Sequence, residues 1–307
     1  MNPIRAITLK ICSVMVFTGM ATIVKSTAGE VPAGEQVFFR SFFAIPPLLV
    51  WLMLRHEFPG ALATANPLGH FWRSLVGVSA MACGFLSLGL LPFPEAVAIG
   101  YAAPVFATIF AAMFIGEQVR AYRLASVALG LVGVTMILVP RLTVLDPVVA
   151  TKLETVGAFS ALLGAIFAAL AQVFVRKLVQ VETTAAIVFY FSVIASALAL
   201  VTLPFGWVVP RWETALLLVL AGLLGGLGQV LLTSAFRYAE TSVIVPFEYT
   251  SMLFALAIGY FLFAEEPTWI MIGGAVLVAL AGIFIIWRER QLGIRRARAR
   301  KVMTPQG

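Results

Sequence analysis

Charge is what this sequence has least of. Only 11% of its 307 residues are Asp, Glu, Lys or Arg, against roughly 25% in a water-soluble globular domain. With 61% hydrophobic residues and a mean hydropathy of +1.02, the chain cannot cover itself with a solvated surface. It reads as a polytopic membrane protein. Cysteine is nearly absent. Cys12 and Cys83 each lie inside an apolar run, which excludes a disulfide framework and leaves them as small packing residues. Histidine is as scarce: His56 and His70 both fall in the first inner loop, so neither a metal site nor histidine-based catalysis is expected. The HEF at 56–58 does not extend to HExxH, because Gly60 stands at the needed position. No GxxxxGK[ST] loop occurs, which excludes ATP as the direct energy source. No cofactor and no separate soluble domain are expected.

What the chain does have is long apolar runs. A span takes about 20 apolar residues, and ten are read at 5–27, 34–54, 70–90, 94–115, 122–139, 155–178, 183–203, 213–236, 240–263 and 268–287. The breaks between them carry turn chemistry, as in HEFPGALATANPLG (56–69), LPFPE (91–95) and LPFGWVVPRW (203–212). The first run continues to Val24 with no convincing cleavage site, so it reads as a span and not a signal peptide.

The formal charge of +7 does not point to nucleic acid, because of where the charges fall. Seven Lys and Arg crowd RERQLGIRRARARK (288–301), directly after an apolar run, where they meet anionic lipid headgroups. With an inner N-terminus, 16 of the 21 Lys and Arg lie on the inner side and four on the outer, with Arg40 left within a span. The expectation is a multi-pass protein of a bacterial inner membrane, monomer or homodimer, with both termini cytoplasmic. The six tryptophans fall at span ends, as an aromatic belt requires.

Two halves overlay. An offset of 151 aligns Lys25 with Arg176 and Phe39 with Tyr190; an offset of 148 aligns Phe106 with Phe254 and Glu117 with Glu265. Five spans per unit is odd, so the second copy enters the membrane from the opposite side. The expected architecture is an all-α integral membrane protein with ten transmembrane helices in two inverted five-helix repeats, at 5–141 and 155–287, followed by a basic cytoplasmic tail at 288–307.

Charges inside spans are the candidates for chemistry. Arg40 either snorkels to the outer headgroups or faces a central cavity, paired with Glu95 or Glu35 or gripping a substrate carboxylate. Glu248 lies eight residues beyond Glu240, about 12 Å along a helix. It binds a substrate ammonium group, takes up a proton, or is a structural carboxylate satisfied by Tyr249, Gln229 or an arginine. Glu95 is a second proton-coupling candidate. Pro104 and Pro246 each remove a backbone donor within a span and are candidate helix kinks. Phe39, Tyr101, Tyr190 and Tyr249 are aromatics that could stack on a planar substrate or cation, and Gln229 is a polar group within a span. Small residues at Gly157, Ala161, Ala165 and Ala169, and the GLLGGLG run with Gly222 and Gly226, permit close helix approach. Glu117 and Glu265 close spans four and nine, where a carboxylate caps a following helix.

Two long segments carry a resemblance. PEAVAIGYAAPVFATIFAAMFIGE with LASVALGLVGVTMILVPR, and YAETSVIVPFEYTSMLFALAIGYFLFAEEPT with GGAVLVALAGIFII, look like EamA-domain transporters of the drug/metabolite transporter superfamily. The similarity extends over roughly 5–287. Known members move aromatic and other amino acids, riboflavin, S-adenosylmethionine or metallophores. The chain departs from many of them in having Ala103-Pro104 where they have Glu-Pro, and Glu248-Tyr249 in the second half. The resemblance implies a secondary active transporter, not an enzyme, that moves a small organic metabolite by alternating access. The amino-acid-like, zwitterionic or aromatic class fits the candidate residues, with protons or a counter-solute as the drive. A lipid-modifying membrane enzyme and a passive channel are the competing readings.

Overall fold

The computed structural model describes residues 2–54, 56–91, 93–117, 121–138, 152–254, 257, 269–270, 272–281, 283–284, 287–288 and 291. No strand occurs among them, and the helices fall on the ten expected passages. The first is α1 (Pro3–Thr27). It starts where local chemistry dictates: the Asn2 side chain accepts from the Arg5 N–H at 3.2 Å, and Pro3 takes the position where no donor is needed.

The second passage is split into α2 (Ala33–Phe42) and α3 (Ile45–Leu54). Pro46 and Pro47 have no N–H to offer the carbonyls of Phe42 and Phe43, so the helix must break there. The third is α4 (Pro67–Leu90), capped by Asn66. The fourth is α5 (Phe93–Gly100) and α6 (Ala102–Ile115), separated at Tyr101. Pro104 leaves the Gly100 carbonyl without its helical partner, directly before that break. Next come α7 (Ala121–Leu138), α8 (Lys152–Leu178), α9 (Thr184–Leu200) and α10 (Trp212–Tyr238). The ninth passage begins as α11 (Thr241–Ile244), tightens into a 3-10 segment at Val245–Tyr249, and resumes as helix at 250–254. The last is α12 (Ile272–Ala281).

Packing follows the inverted repeat. α1 lies along α10, and α4 lies along α8: the first passage of each half meets the third of the other. α2 packs on α9 and α10, and α4 also touches α9, which places the second passages of both halves at the centre. The small residues make this closeness workable. Ala161, Ala165 and Ala169 of α8 are buried, and Gly222 and Gly226 of α10 lie directly against Phe43 and Ala44. Large apolar side chains such as Phe159, Leu216 and Leu227 point outward, as a lipid-facing surface requires.

The described chain begins and ends at the same end of the bundle. The Asn2 N–H donates to the Tyr238 carbonyl at 3.0 Å, at the end of α10. The Arg288 guanidinium lies 6.0 Å from the Tyr122 ring, at the start of α7. Glu265, Glu266 and most of the basic tail lie outside the described residues.

Candidate functional site

Pro246 shapes the first of two buried charge groups. It cannot donate to the Ser242 carbonyl, and the chain tightens to 3-10 geometry across Val245–Tyr249. Carbonyls loosened there are taken up by side chains: Thr250 Oγ1 donates to the Phe247 carbonyl at 2.6 Å, and Ser251 Oγ to the Glu248 carbonyl at 2.7 Å. The Glu248 carboxylate forms an ion pair with the Lys10 ammonium of α1. Lys10 is 2% exposed, whereas Glu248 retains 32%, so the acid is the half of the pair that solvent or a solute reaches. Tyr101 and Tyr249 meet beside it, with ring centroids 5.5 Å apart at 61°. The Tyr101 hydroxyl and Ser251 Oγ share a 2.6 Å hydrogen bond. The two tyrosines are 148 apart, the repeat's own offset. Equivalent residues that touch each other lie next to the pseudo-two-fold axis, so this cluster sits where the halves meet.

The second group holds two arginines. Arg40, the eighth residue of α2, is 3% exposed and points into the protein, not to the end of the bundle. Its Nη2 donates to the Gly225 carbonyl at 3.4 Å and to Gln229 Oε1 at 3.3 Å, both on α10. Arg73, the seventh residue of α4, is also 3% exposed. Both guanidiniums face the ring of Phe191, in the middle of α9, at 5.3 Å for Arg40 and 3.6 Å for Arg73. Neither has an ion-pair partner among the described residues, and Nε and Nη1 of each lack any hydrogen-bond acceptor. A charge at such depth costs about 3 kcal/mol on insertion scales. Two of the same sign repel each other as well.

Residues 4–139 and 155–288 each match the EamA-like transporter family. The chain belongs to the EamA-like transporter family. A pseudopaline exporter of Pseudomonas aeruginosa is 31% identical over 280 residues, covering 90% of this chain and 93% of the relative. An S-adenosylmethionine uptake transporter of Rickettsia felis is 27% identical over 263 residues, covering 85% of each. A solved crystal structure at 19% identity covers 94% of this chain and 98% of its own, with a TM-score of 0.75, and shares the fold. This EamA-like chain is therefore a multi-pass membrane transporter of a small metabolite.

Within that fold the remaining candidates separate. Tyr190 makes its contacts with the loop before α4 and the start of that helix: its hydroxyl donates to the Leu62 carbonyl at 3.1 Å, and its ring meets His70 at 4.8 Å. Phe39 belongs to an aromatic row with Phe38 and Phe43. Glu35, one proposed partner of Arg40, instead accepts from the Val208 N–H at 3.0 Å. The side chain of Glu95 lies outside the described residues. Glu117 caps a helix start, but across the repeat: its carboxylate accepts from the N–H groups of Thr241 and Ser242 at 3.0 and 3.2 Å, and from Arg176 Nε at 3.3 Å. Lys10, Arg73 and Phe191 do not stand out in the sequence. Lys10 and Arg73 fall among the basic residues of the inner side, although each stands about 10 Å inside its helix.

Proposed function

We propose that this chain is a secondary active transporter of an amino-acid-like zwitterionic metabolite, working by alternating access in a bacterial inner membrane with both termini cytoplasmic. The observation that carries the reading is the Lys10–Glu248 pair. It joins the first passage of one half to the fourth of the other, beside residues that straddle the pseudo-two-fold axis. Rocking of one half against the other must strain or open this pair. A zwitterion satisfies both opened groups at once, its ammonium on Glu248 and its carboxylate on Lys10. Tyr101 and Tyr249 offer ring faces to the substrate's side chain or cation. Protonation of Glu248 opens the pair in the same way, which gives a route for proton coupling. The named relatives differ in direction, one an exporter and one an uptake transporter, so either direction suits the fold.

The test is uptake into proteoliposomes. Wild-type protein is expected to show saturable accumulation of an amino-acid-like metabolite driven by a gradient. Glu248→Gln is expected to cut that rate by on the order of 100-fold, while the protein stays monodisperse in detergent. Normal, pH-dependent accumulation by the variant removes Glu248 from the mechanism, and unsaturable flux identifies a channel.

A further inference from the structure

We propose that Arg40 and Arg73 together form an oxyanion subsite, taking a carboxylate or phosphate group of the transported molecule. The argument starts from what these side chains lack. Each is buried, each keeps two guanidinium nitrogens without an acceptor, and neither meets an acid among the described residues. A guanidinium is a planar fork of donors built for a two-oxygen anion, and it does not shed its proton to escape burial. Two such forks on one aromatic ring leave an excess of donors and of positive charge.

The surroundings are arranged to hold the forks without neutralising them. Gly77 carries no side chain where a Cβ would stand 2.9 Å from Arg73 Nη1 and 2.9 Å from Phe191 Cε2. At Gly225 an added Cβ would stand 2.8 Å from Arg40 Nε. The hydroxyls of Ser41, Ser74 and Ser192, adjacent in sequence to Arg40, Arg73 and Phe191, are buried and also lack partners. Both arginines come from the first half, and the ring that carries them, Phe191, comes from the second, so an anion bound here would sit where the two repeats pack together. That the anion belongs to a transported molecule rests on the transporter reading above; that the two guanidiniums bind an oxyanion does not. The substrate class becomes a zwitterion carrying an additional acidic group.

The experiment measures thermal stability of the purified, detergent-solubilised chain at matched ionic strength, with chloride, inorganic phosphate, L-glutamate or succinate as probes. Wild-type protein is expected to show a saturable rise in Tm with a carboxylate or phosphate probe. Arg73→Gln and Arg40→Gln are expected to weaken that response roughly 30-fold. Arg73→Lys, which keeps the charge and loses the fork, and Gly77→Ala, which crowds it, serve where the glutamine variants fail to fold, and the same weakening is expected. A response to chloride alone assigns a resident ion and overturns the proposal. So does a response that follows phosphatidylglycerol in nanodiscs and not the soluble probes, or one undiminished in Arg73→Gln and Arg73→Lys. Probe binding lost in the arginine variants, in a protein that shows no carrier activity in proteoliposomes, leaves the subsite standing and removes the transporter reading. Carrier activity with no oxyanion response does the reverse.

Discussion

The two buried charge groups differ in their sum. Lys10 and Glu248 cancel, whereas Arg40 and Arg73 add. A cancelled pair is stable by itself and opens only when something replaces one partner; an uncancelled pair is held by the fold against its own repulsion. In the function proposed above, one group is a latch between the halves and the other a socket. The largest effect that tests this contrast is on the latch. Lys10→Met leaves Glu248 without its cation and is expected to destabilise the protein by about 3–5 kcal/mol. The double variant Lys10→Met, Glu248→Met is expected to recover most of that loss. A double variant no more stable than Lys10→Met alone shows that the two charges are not coupled.

The socket answers in the opposite direction. In anion-free buffer, Arg73→Met removes one of two repelling charges and is expected to raise stability by about 1–3 kcal/mol. Calorimetry or thermal unfolding reads the sign directly. A loss as large as that of Lys10→Met means that the arginine is compensated, and the contrast between the two groups disappears.

The contrast was only half legible in the sequence. Passages were legible because apolar runs of membrane length, punctuated by Pro, Gly and Asn, allow few other readings: the run read at 70–90 is α4 at Pro67–Leu90. The break between α2 and α3 was not, since FFAIPPLLVWLML is apolar throughout and hydropathy does not register a lost donor. Glu248 and Arg40 stood out as charges in mid-run. Lys10 and Arg73 lie as deep, but each is near the inner end of its span, where a basic residue also serves as a topology anchor. What distinguishes them is a partner 238 positions away for Lys10, and for Arg73 an aromatic ring on another helix. Glu117 is similar. A carboxylate at the end of a helix signals capping, yet nothing local shows that the capped helix is α11.

That cap gives the next test. Glu117 closes one half against the other by neutral contacts to Thr241 and Ser242 and one ionic contact to Arg176. Arg176 also donates to the Phe236 carbonyl at 2.6 Å; at the opposite end Lys25 donates to the Leu88 carbonyl, likewise at 2.6 Å. The pairs Lys25–Arg176 and Leu88–Phe236 are related by the repeat offsets of 151 and 148. Glu117→Gln is expected to cost about 1–2 kcal/mol, because an amide keeps the acceptor and loses the charge. A cost near that of Lys10→Met places Glu117 with the latch, not with the capping contacts.

The smallest expected effect comes from a carboxylate outside the spans, and its pH dependence separates it from both groups. Glu182 precedes α9 and straps down the loop before α4. Its Oε1 accepts from Thr64 Oγ1 at 2.8 Å and from the N–H groups of Ala65 and Asn66 at 2.9 and 3.0 Å, while Oε2 lies 3.7 Å from His70 Nε2. Burial pushes its pKa up, but these donors and His70 outweigh that and hold it below the ordinary carboxylate value. A lowered folded pKa means that the unfolded chain binds the proton more readily. The stabilisation is therefore complete above the unfolded carboxylate pKa of about 4.3, and it is lost as pH falls through the lowered folded value. Glu182→Gln is expected to cost about 1 kcal/mol at pH 7. The difference in Tm between wild type and variant is expected to shrink towards zero as the buffer is taken below pH about 4. A difference that grows on acidification means that His70, gaining its proton, dominates this contact in place of the backbone donors.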